Sequence, residues 1–165
     1  VDEIGEATSS GAVNVEQAPQ GFYTLDSSNQ ATSSGAVQIT RASEGYYTVN
    51  SANTAVSVGA VNQAIVSAGY YACIGGDTDG IGVNIGADNK CVCPAGRYQA
   101  NTGATQCITA SRGHFTTDAS GATTSGATGQ QAARSGYYVI DESNSPATTL
   151  GVNEAQARLN YYACD

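Results

Sequence analysis

Apolar and polar positions alternate along this chain only over short stretches. Tyr46-Tyr47-Thr48-Val49 and Tyr137-Tyr138-Val139-Ile140 are runs of aromatic and β-branched residues, each preceded by a glycine. Such runs have strand propensity, and a glycine ahead of them suits a turn or a bulge. The segments between are rich in Gly, Ser and Thr and too short for helices. Only residues 130–133 and 153–159 have weak helical character. The pattern predicts an all-β fold of short strands or hairpins.

The glycine-led runs recur. Gly-aromatic-aromatic occurs at Gly21-Phe22-Tyr23, Gly45-Tyr46-Tyr47, Gly69-Tyr70-Tyr71 and Gly136-Tyr137-Tyr138, with degenerate copies at Gly96-Arg97-Tyr98, Gly113-His114-Phe115 and Asn160-Tyr161-Tyr162. All 10 Tyr and both Phe of the chain lie in these motifs. The reading is one repeat domain over residues 1–165, of about seven units ending near 23, 47, 71, 98, 115, 138 and 162. One such unit cannot bury its apolar face alone. Units placed one on the next can, which predicts an elongated, solenoid-like rod.

A Gly-Ala box precedes each motif, at Gly11, Gly35, Gly59, Gly86, Gly103 and Gly126, always ten residues before the motif glycine. The seventh copy has Leu150 there. From a motif glycine to the next box glycine the distance varies from 7 residues (Gly96 to Gly103) to 17 (Gly69 to Gly86). The constant half is expected to be packed scaffold and the variable half a surface loop. The seventh position after each box glycine is Ala18, Ala42, Val66, Cys93, Ala110, Ala133 or Ala157, small residues expected to be buried. The second aromatic position admits only Tyr or Phe, while the first also takes Arg97 and His114. Because a strand alternates its faces, Tyr23, Tyr47, Tyr71, Tyr98, Phe115, Tyr138 and Tyr162 are expected to face inward as an aromatic ladder. The first position should lean toward solvent or a neighbouring chain.

Composition sharpens this. Leu, Ile, Val and Phe number 26 of 165 residues and Met and Trp are absent, so the core must be thin. Regular repetition and five cysteines are the remaining routes to order. The net charge of −8, with six scattered cations (Arg41, Lys90, Arg97, Arg112, Arg134, Arg158), argues against a nucleic-acid partner, which needs clustered Lys and Arg. No apolar run approaches the ~20 residues of a membrane span. Few Lys, abundant Ser, Thr and Gly, and the cysteines suit an extracellular or cell-surface protein. Opening on Val1 without a leader-like segment, the chain reads as a processed one.

The cysteines carry a family likeness. Cys91-Val92-Cys93-Pro94-Ala95-Gly96-Arg97-Tyr98 continues through Gly103-Ala104-Thr105-Gln106-Cys107 to Gly113. This resembles the ephrin-receptor-like cysteine-rich repeat, roughly C-P-A-G-x-Y, a short link, then G-A-x-x-C-x-x-C, which occurs in tandem in large extracellular and surface proteins. The likeness covers the whole chain as rhythm and residues 91–113 as cysteine pattern. Elsewhere Ala or Val stands for the family cysteine, as at Ala18 before Pro19 and at Ala110, so the chain looks like a cysteine-poor relative. The resemblance implies a Cys93–Cys107 disulfide, and then Cys73 with Cys91 around the longest link. Five cysteines cannot all pair within the chain. Cys164 is left as a free thiol or for an intermolecular or external partner. Zinc is a competing reading for close cysteines, but Cys91-x-Cys93 has poor spacing for it and no nearby His.

Little else points to chemistry. The one histidine, His114, occupies a first aromatic position, and the parts of a hydrolytic triad or a His metal cluster are missing. No cofactor and no enzymatic activity are expected. Asp77 and Asp79, on the glycine-rich turn 75–80, are the candidate calcium ligands, with Asn84 and Asp88 as further ligands; a polar turn, which Asp and Gly make without any metal, is the simpler explanation. No N-glycosylation sequon occurs. Thr8-Ser9-Ser10, Thr32-Ser33-Ser34, Thr116-Thr117 and Thr123-Thr124-Ser125 are candidate O-glycan carriers. No polar cap flanks either end of the repeat, and uncapped ends make head-to-tail contacts that grow into filaments. The leading expectation is an extracellular structural subunit, self-associating into a homopolymer through its repeat ends. The alternative is a repeat segment of an adhesive or receptor-like ectodomain, acting as spacer or ligand-binding module.

Overall fold

A computed structural model of the chain describes residues 15–158 together with 162–163. The described residues contain strands and no helix. β1 (Phe22–Leu25) pairs with β2 (Gln38–Arg41) as a first hairpin, β3 (Tyr46–Val49) with β4 (Asn62–Ile65) as a second, and β5 (Tyr70–Cys73) with β6 (Asn89–Val92) as a third. A short fourth hairpin joins β7 (Arg97–Tyr98) to β8 (Ile108–Thr109). In the fifth, β9 (His114–Asp118) is flanked by β10 (Gly121–Ala122) and β11 (Gly129–Ala132). The sixth joins β12 (Tyr137–Ile140) to β13 (Asn153–Gln156). Every pairing within a hairpin is antiparallel.

Residues 130–133 and 153–159 are therefore not helical over their described part. Gln130 and Gln131 pair with Thr116 and Phe115, and Asn153 and Glu154 with Ile140 and Val139, so pairing to an aromatic strand overrides a weak helical preference. The constant ten-residue stretch has an unexpected position. It starts at the box, runs through the second strand of one hairpin, and ends in the turn that opens the next. In that turn the residue after the glycine donates its N–H back three residues: Phe22 to the Pro19 carbonyl at 3.0 Å, Tyr46 to Ser43 at 3.0 Å, Tyr137 to Arg134 at 2.9 Å. The glycine is the third turn residue and has positive φ, 75° at Gly45, where a side chain would be strained.

The loops that close the hairpins come in three kinds. In the fifth hairpin β9 turns tightly into β10, with Asp118 Oδ1 accepting the Ser120 N–H at 2.7 Å. In the first, second and sixth a five-residue loop, 26–30, 50–54 and 141–145, is held by its first side chain. Asp26 Oδ1 accepts the N–H groups of Ser28 and Gln30, Asn50 Oδ1 those of Ala52 and Thr54, and Asp141 Oδ1 those of Ser143 and Ser145. Three residues after each comes an Asn with φ near +60° (Asn29, Asn53, Asn144), the residue type that best tolerates that region after glycine. The third and fourth hairpins are closed by disulfides.

The core is small and divided. Tyr47, Val49, Val66, Ala72 and Ala87 form one buried cluster, and Tyr71, Cys73, Cys91, Cys93 and Cys107 another. Tyr47, Tyr71 and Phe115 are buried, Tyr23, Tyr98 and Tyr138 half-buried. Tyr47 and Tyr71 lie in separate clusters, so the inner aromatic row is not one continuous ladder. Tyr162 is 84% exposed, because no described strand pairs with its segment.

Candidate functional site

The recurrent feature is the seam between successive hairpins, and it is made from the backbone. The residue after each second aromatic donates its N–H to the box of the following hairpin. Thr24 reaches the Ala60 carbonyl at 3.2 Å, Thr48 reaches Ala87 at 3.0 Å, Ala72 reaches Ala104 at 2.9 Å, Gln99 reaches Ala127 at 3.0 Å, and Thr116 reaches Gly151 at 2.9 Å. In return the box glycine donates to the small residue ahead of the turn: Gly59 to Ala18 and Gly86 to Ala42 at 2.8 Å, Gly103 to Val66 at 2.7 Å, Gly126 to Cys93 at 2.9 Å. Each such bond contributes a net ~1 kcal/mol. Parallel bridges mark the same register at Tyr23 and Ala60, Tyr47 and Ala87, Tyr98 and Ala127, and Phe115 and Gly151.

Small residues let the backbones approach this closely. A Cβ on Gly21 would overlap the Gly86 carbonyl, on Gly45 that of Gly103, on Gly69 that of Gly126, and on Gly96 the backbone of Leu150. Each turn glycine thus sits against the box two hairpins further on. The small seventh position is buried from Ala18 through Ala42, Val66 and Cys93 to Ala110, and half-buried at Ala133 and Ala157.

Where the interval from turn glycine to box is longest and where it is shortest, disulfides tie the chain. Cys73 is bonded to Cys91, 18 residues on, and Cys93 to Cys107, 14 residues on. These are the two pairings that the family likeness implied, and they leave no thiolates among those four residues for zinc. Tyr71, fully buried beside them, donates its hydroxyl proton to the Asp77 carbonyl at 3.0 Å and accepts the Gly80 N–H at 3.2 Å. Burial pushes its pKa above the ordinary phenol value, and the carboxylates of Asp77 and Asp79 push the same way, against the Gly80 bond and Arg97. Tyr23 is likewise raised by burial.

The acidic loop spends its carboxylates on itself. Asp77 Oδ1 accepts the Asp79 N–H at 3.1 Å and Asp79 Oδ1 the Ile81 N–H at 2.6 Å. Asp88 is buried, accepting the Gly75 N–H at 2.8 Å and the Gln20 side-chain amide at 2.7 Å. Asn84 is exposed. No group of three or more His, Cys, Asp or Glu among the described residues is placed to hold a metal ion.

His114 is half-buried with Nδ1 3.0 Å from the Arg112 carbonyl. The first aromatic positions are half-buried beneath cations: Arg41 over Phe22 at 5.1 Å, Lys90 over Tyr70 at 5.1 Å, Arg134 over Tyr137 at 4.2 Å. Of the glycan candidates, Thr116 is fully buried and its hydroxyl is bonded to the Thr123 carbonyl, so it cannot carry a sugar. Ser33, Ser34, Thr124 and Ser125 are exposed. Thr8, Ser9, Ser10 and Cys164 lie outside the described residues.

Sequence reasoning missed the side chains that fix the turns. Gln63 Oε1 accepts the Ser43 N–H at 2.7 Å, Gln130 Oε1 the Ser111 N–H at 2.7 Å, and Glu154 Oε2 the Arg134 N–H at 2.7 Å, while Glu154 also pairs with the Arg134 guanidinium. Each is the fourth residue after its box position, a place that holds Val15, Ile39, Lys90 and Cys107 in the other copies, so the sequence carries no consistent signal for it. No protein-family model, curated protein or solved structure matches the chain. Its two disulfides point to a non-cytosolic setting, and no helix among the described residues is long and apolar enough to cross a membrane.

Proposed function

We propose that the chain is an extracellular structural protein, a subunit of a filament or surface assembly, whose hairpins follow one another as a solenoid-like rod and whose growth runs through the repeat ends. The observation that carries this reading is the seam: the strand N–H to box carbonyl bond recurs at five successive hairpin junctions, and the return bond from the box glycine at four of them. A hairpin offers its aromatic strand on one side and its box on the other. Such a contact is heterologous, and heterologous contacts extend unless a rotation closes them. The cysteine-poor kinship with the ephrin-receptor-like repeat is part of the same proposal, as are O-linked sugars on the exposed Ser33, Ser34, Thr124 and Ser125. No catalytic role is assigned to any residue.

The test is sedimentation velocity and negative-stain electron microscopy of the oxidised chain across concentration and salt. Concentration-dependent elongated particles are expected. Monodisperse monomers under every condition overturn the reading.

A further inference from the structure

Resting on that proposal of self-assembly, the structure also suggests which two surfaces would meet. The seam has a plug, the box of one hairpin, and a seat on the hairpin before it. The seat consists of the turn glycine one hairpin earlier, the small residue ahead of the turn, and the N–H after the second aromatic. Along the molecule the plugs are covered to different degrees: Ala60, Ala87 and Ala127 are at most 1% exposed, and Ala104 is half-buried. The first described plug is the exception. Gly35 and Ala36 are exposed, nothing lies within 4 Å of a Cβ placed on Gly35, and Val37 beside them is 39% exposed, against 4% for Val152 at the same position of the last hairpin.

The seats run the other way. Gly21, Gly45, Gly69 and Gly96 are buried against a box, whereas Gly113 and Gly136 are exposed with nothing within 4 Å of a placed Cβ. By the register of the seams, the box following the sixth hairpin would touch Gly113, the Ala133 carbonyl and the Val139 N–H. Neither of those two backbone groups has a seam partner among the described residues. These residues line one open groove of about 480 Å³, with Arg134, Tyr138 and, from the chain's own last segment, Ala163 on its wall.

We infer that the Gly35-Ala36 box of one copy docks in the Gly113, Ala133 and Val139 groove of a second copy, continuing the internal seam across the interface. The Val139 N–H donates to the Ala36 carbonyl, the Gly35 N–H donates to the Ala133 carbonyl, and Gly113 lies against the Gly35 carbonyl. The occupant is a second copy because the groove presents the turn glycine, carbonyl and N–H of an internal seat, with no seam partner for them among the described residues, and the exposed box is the matching plug.

Two variants, each made in a Cys164→Ser background so that no thiol linkage is scored, block opposite ends. Ala36→Arg adds bulk to an exposed plug. Gly113→Asn suits a left-handed backbone and fills the space the incoming carbonyl needs, while its Cβ has nothing within 4 Å in the free chain. Each variant alone is expected to raise the association midpoint at least about tenfold over the Cys164→Ser parent. Mixed, they are expected to form one-to-one heterodimers and stop there, since each retains one intact end. As a variant-free readout, the Gly35 and Val139 amides should exchange fast in dilute protein and slowly on association. A parent that associates while both variants associate equally well overturns this interface and leaves self-assembly standing. A parent that never associates overturns both. A Val139 amide already protected in the monomer also overturns the interface, because the chain's own residues then fill the groove.

Discussion

The second and third hairpins show how one scaffold is closed in two ways. Both begin with a glycine turn and a Tyr pair, and both dock a Gly-Ala box on the hairpin before. In the second, the single side-chain oxygen of Asn50 organises a loop of five residues. In the third, the chain from Tyr71 to the next box is longer, and no local cap of that length holds it. Covalent closure between Cys73 and Cys91 takes over, helped by the Tyr71 hydroxyl and by Asp88, which reaches the Gly75 amide. The fourth hairpin, too short for the five-residue loop, uses Cys93 and Cys107. Disulfides thus appear at the longest and the shortest intervals, while the fifth hairpin, one residue short of the common interval, is closed by the tight β9–β10 turn.

The scaffold common to both kinds should be the most sensitive part. Gly45→Val puts a branched side chain at positive φ and into the Gly103 carbonyl, and should destabilise by more than about 4 kcal/mol. Gly136→Val has the same backbone strain but open space, and should cost only about 1–2 kcal/mol. Equal losses in urea unfolding would show that the seam adds nothing.

Next in size come the disulfides. Replacing Cys93 and Cys107 together by Ala should cost about 3 kcal/mol through loop entropy, and the Cys73, Cys91 pair a similar amount. A calorimetric melting temperature that barely moves would show that the third and fourth hairpins hold without covalent closure.

Tyr71→Phe leaves the Gly80 N–H without its acceptor and should cost about 1–2 kcal/mol. Tyr71 also makes the disulfide hairpin sensitive to alkali. Its folded pKa lies above that of the unfolded phenol, so the folded state holds the proton longer. Its contribution is intact below about pH 10 and is lost as pH rises beyond that value. Denaturant midpoints measured at about pH 8 and about pH 11 should differ more for the natural chain than for Tyr71→Phe.

The smallest effect is expected from Asn50→Ala, which removes two hydrogen bonds from an exposed loop, about 1 kcal/mol. A much larger loss would mean that the loop side chain, like a disulfide, supports more than its own hairpin.

The seven-fold rhythm, the all-β character, the turn glycines and the burial of Ala18, Ala42 and Val66 were all legible in the sequence, because small and aromatic residues at fixed intervals report close backbone approach. The pairing was not. The ten-residue interval from box to motif suggested a single rigid piece, yet its two ends belong to different hairpins, since periodicity marks positions without saying which neighbour each one touches. The buried hydroxyl of Thr116 was hidden for a similar reason: in a list of polar residues, a threonine bonded inward to Thr123 looks like one that faces water. Asp88 misled in the same way, its carboxylate being spent on Gly75 and Gln20.

The seam recognises carbonyls, amides and the lack of side chains, and so is nearly indifferent to which hairpin supplies them. Interchangeable parts follow. A gene duplication or deletion that adds or removes one whole hairpin with an Asp- or Asn-capped loop leaves every remaining junction with a competent partner, while the third and fourth hairpins, joined by Cys93 and Cys107, move together. Length in such a protein is a heritable variable that can drift by whole modules, with no compensating change needed at the joints.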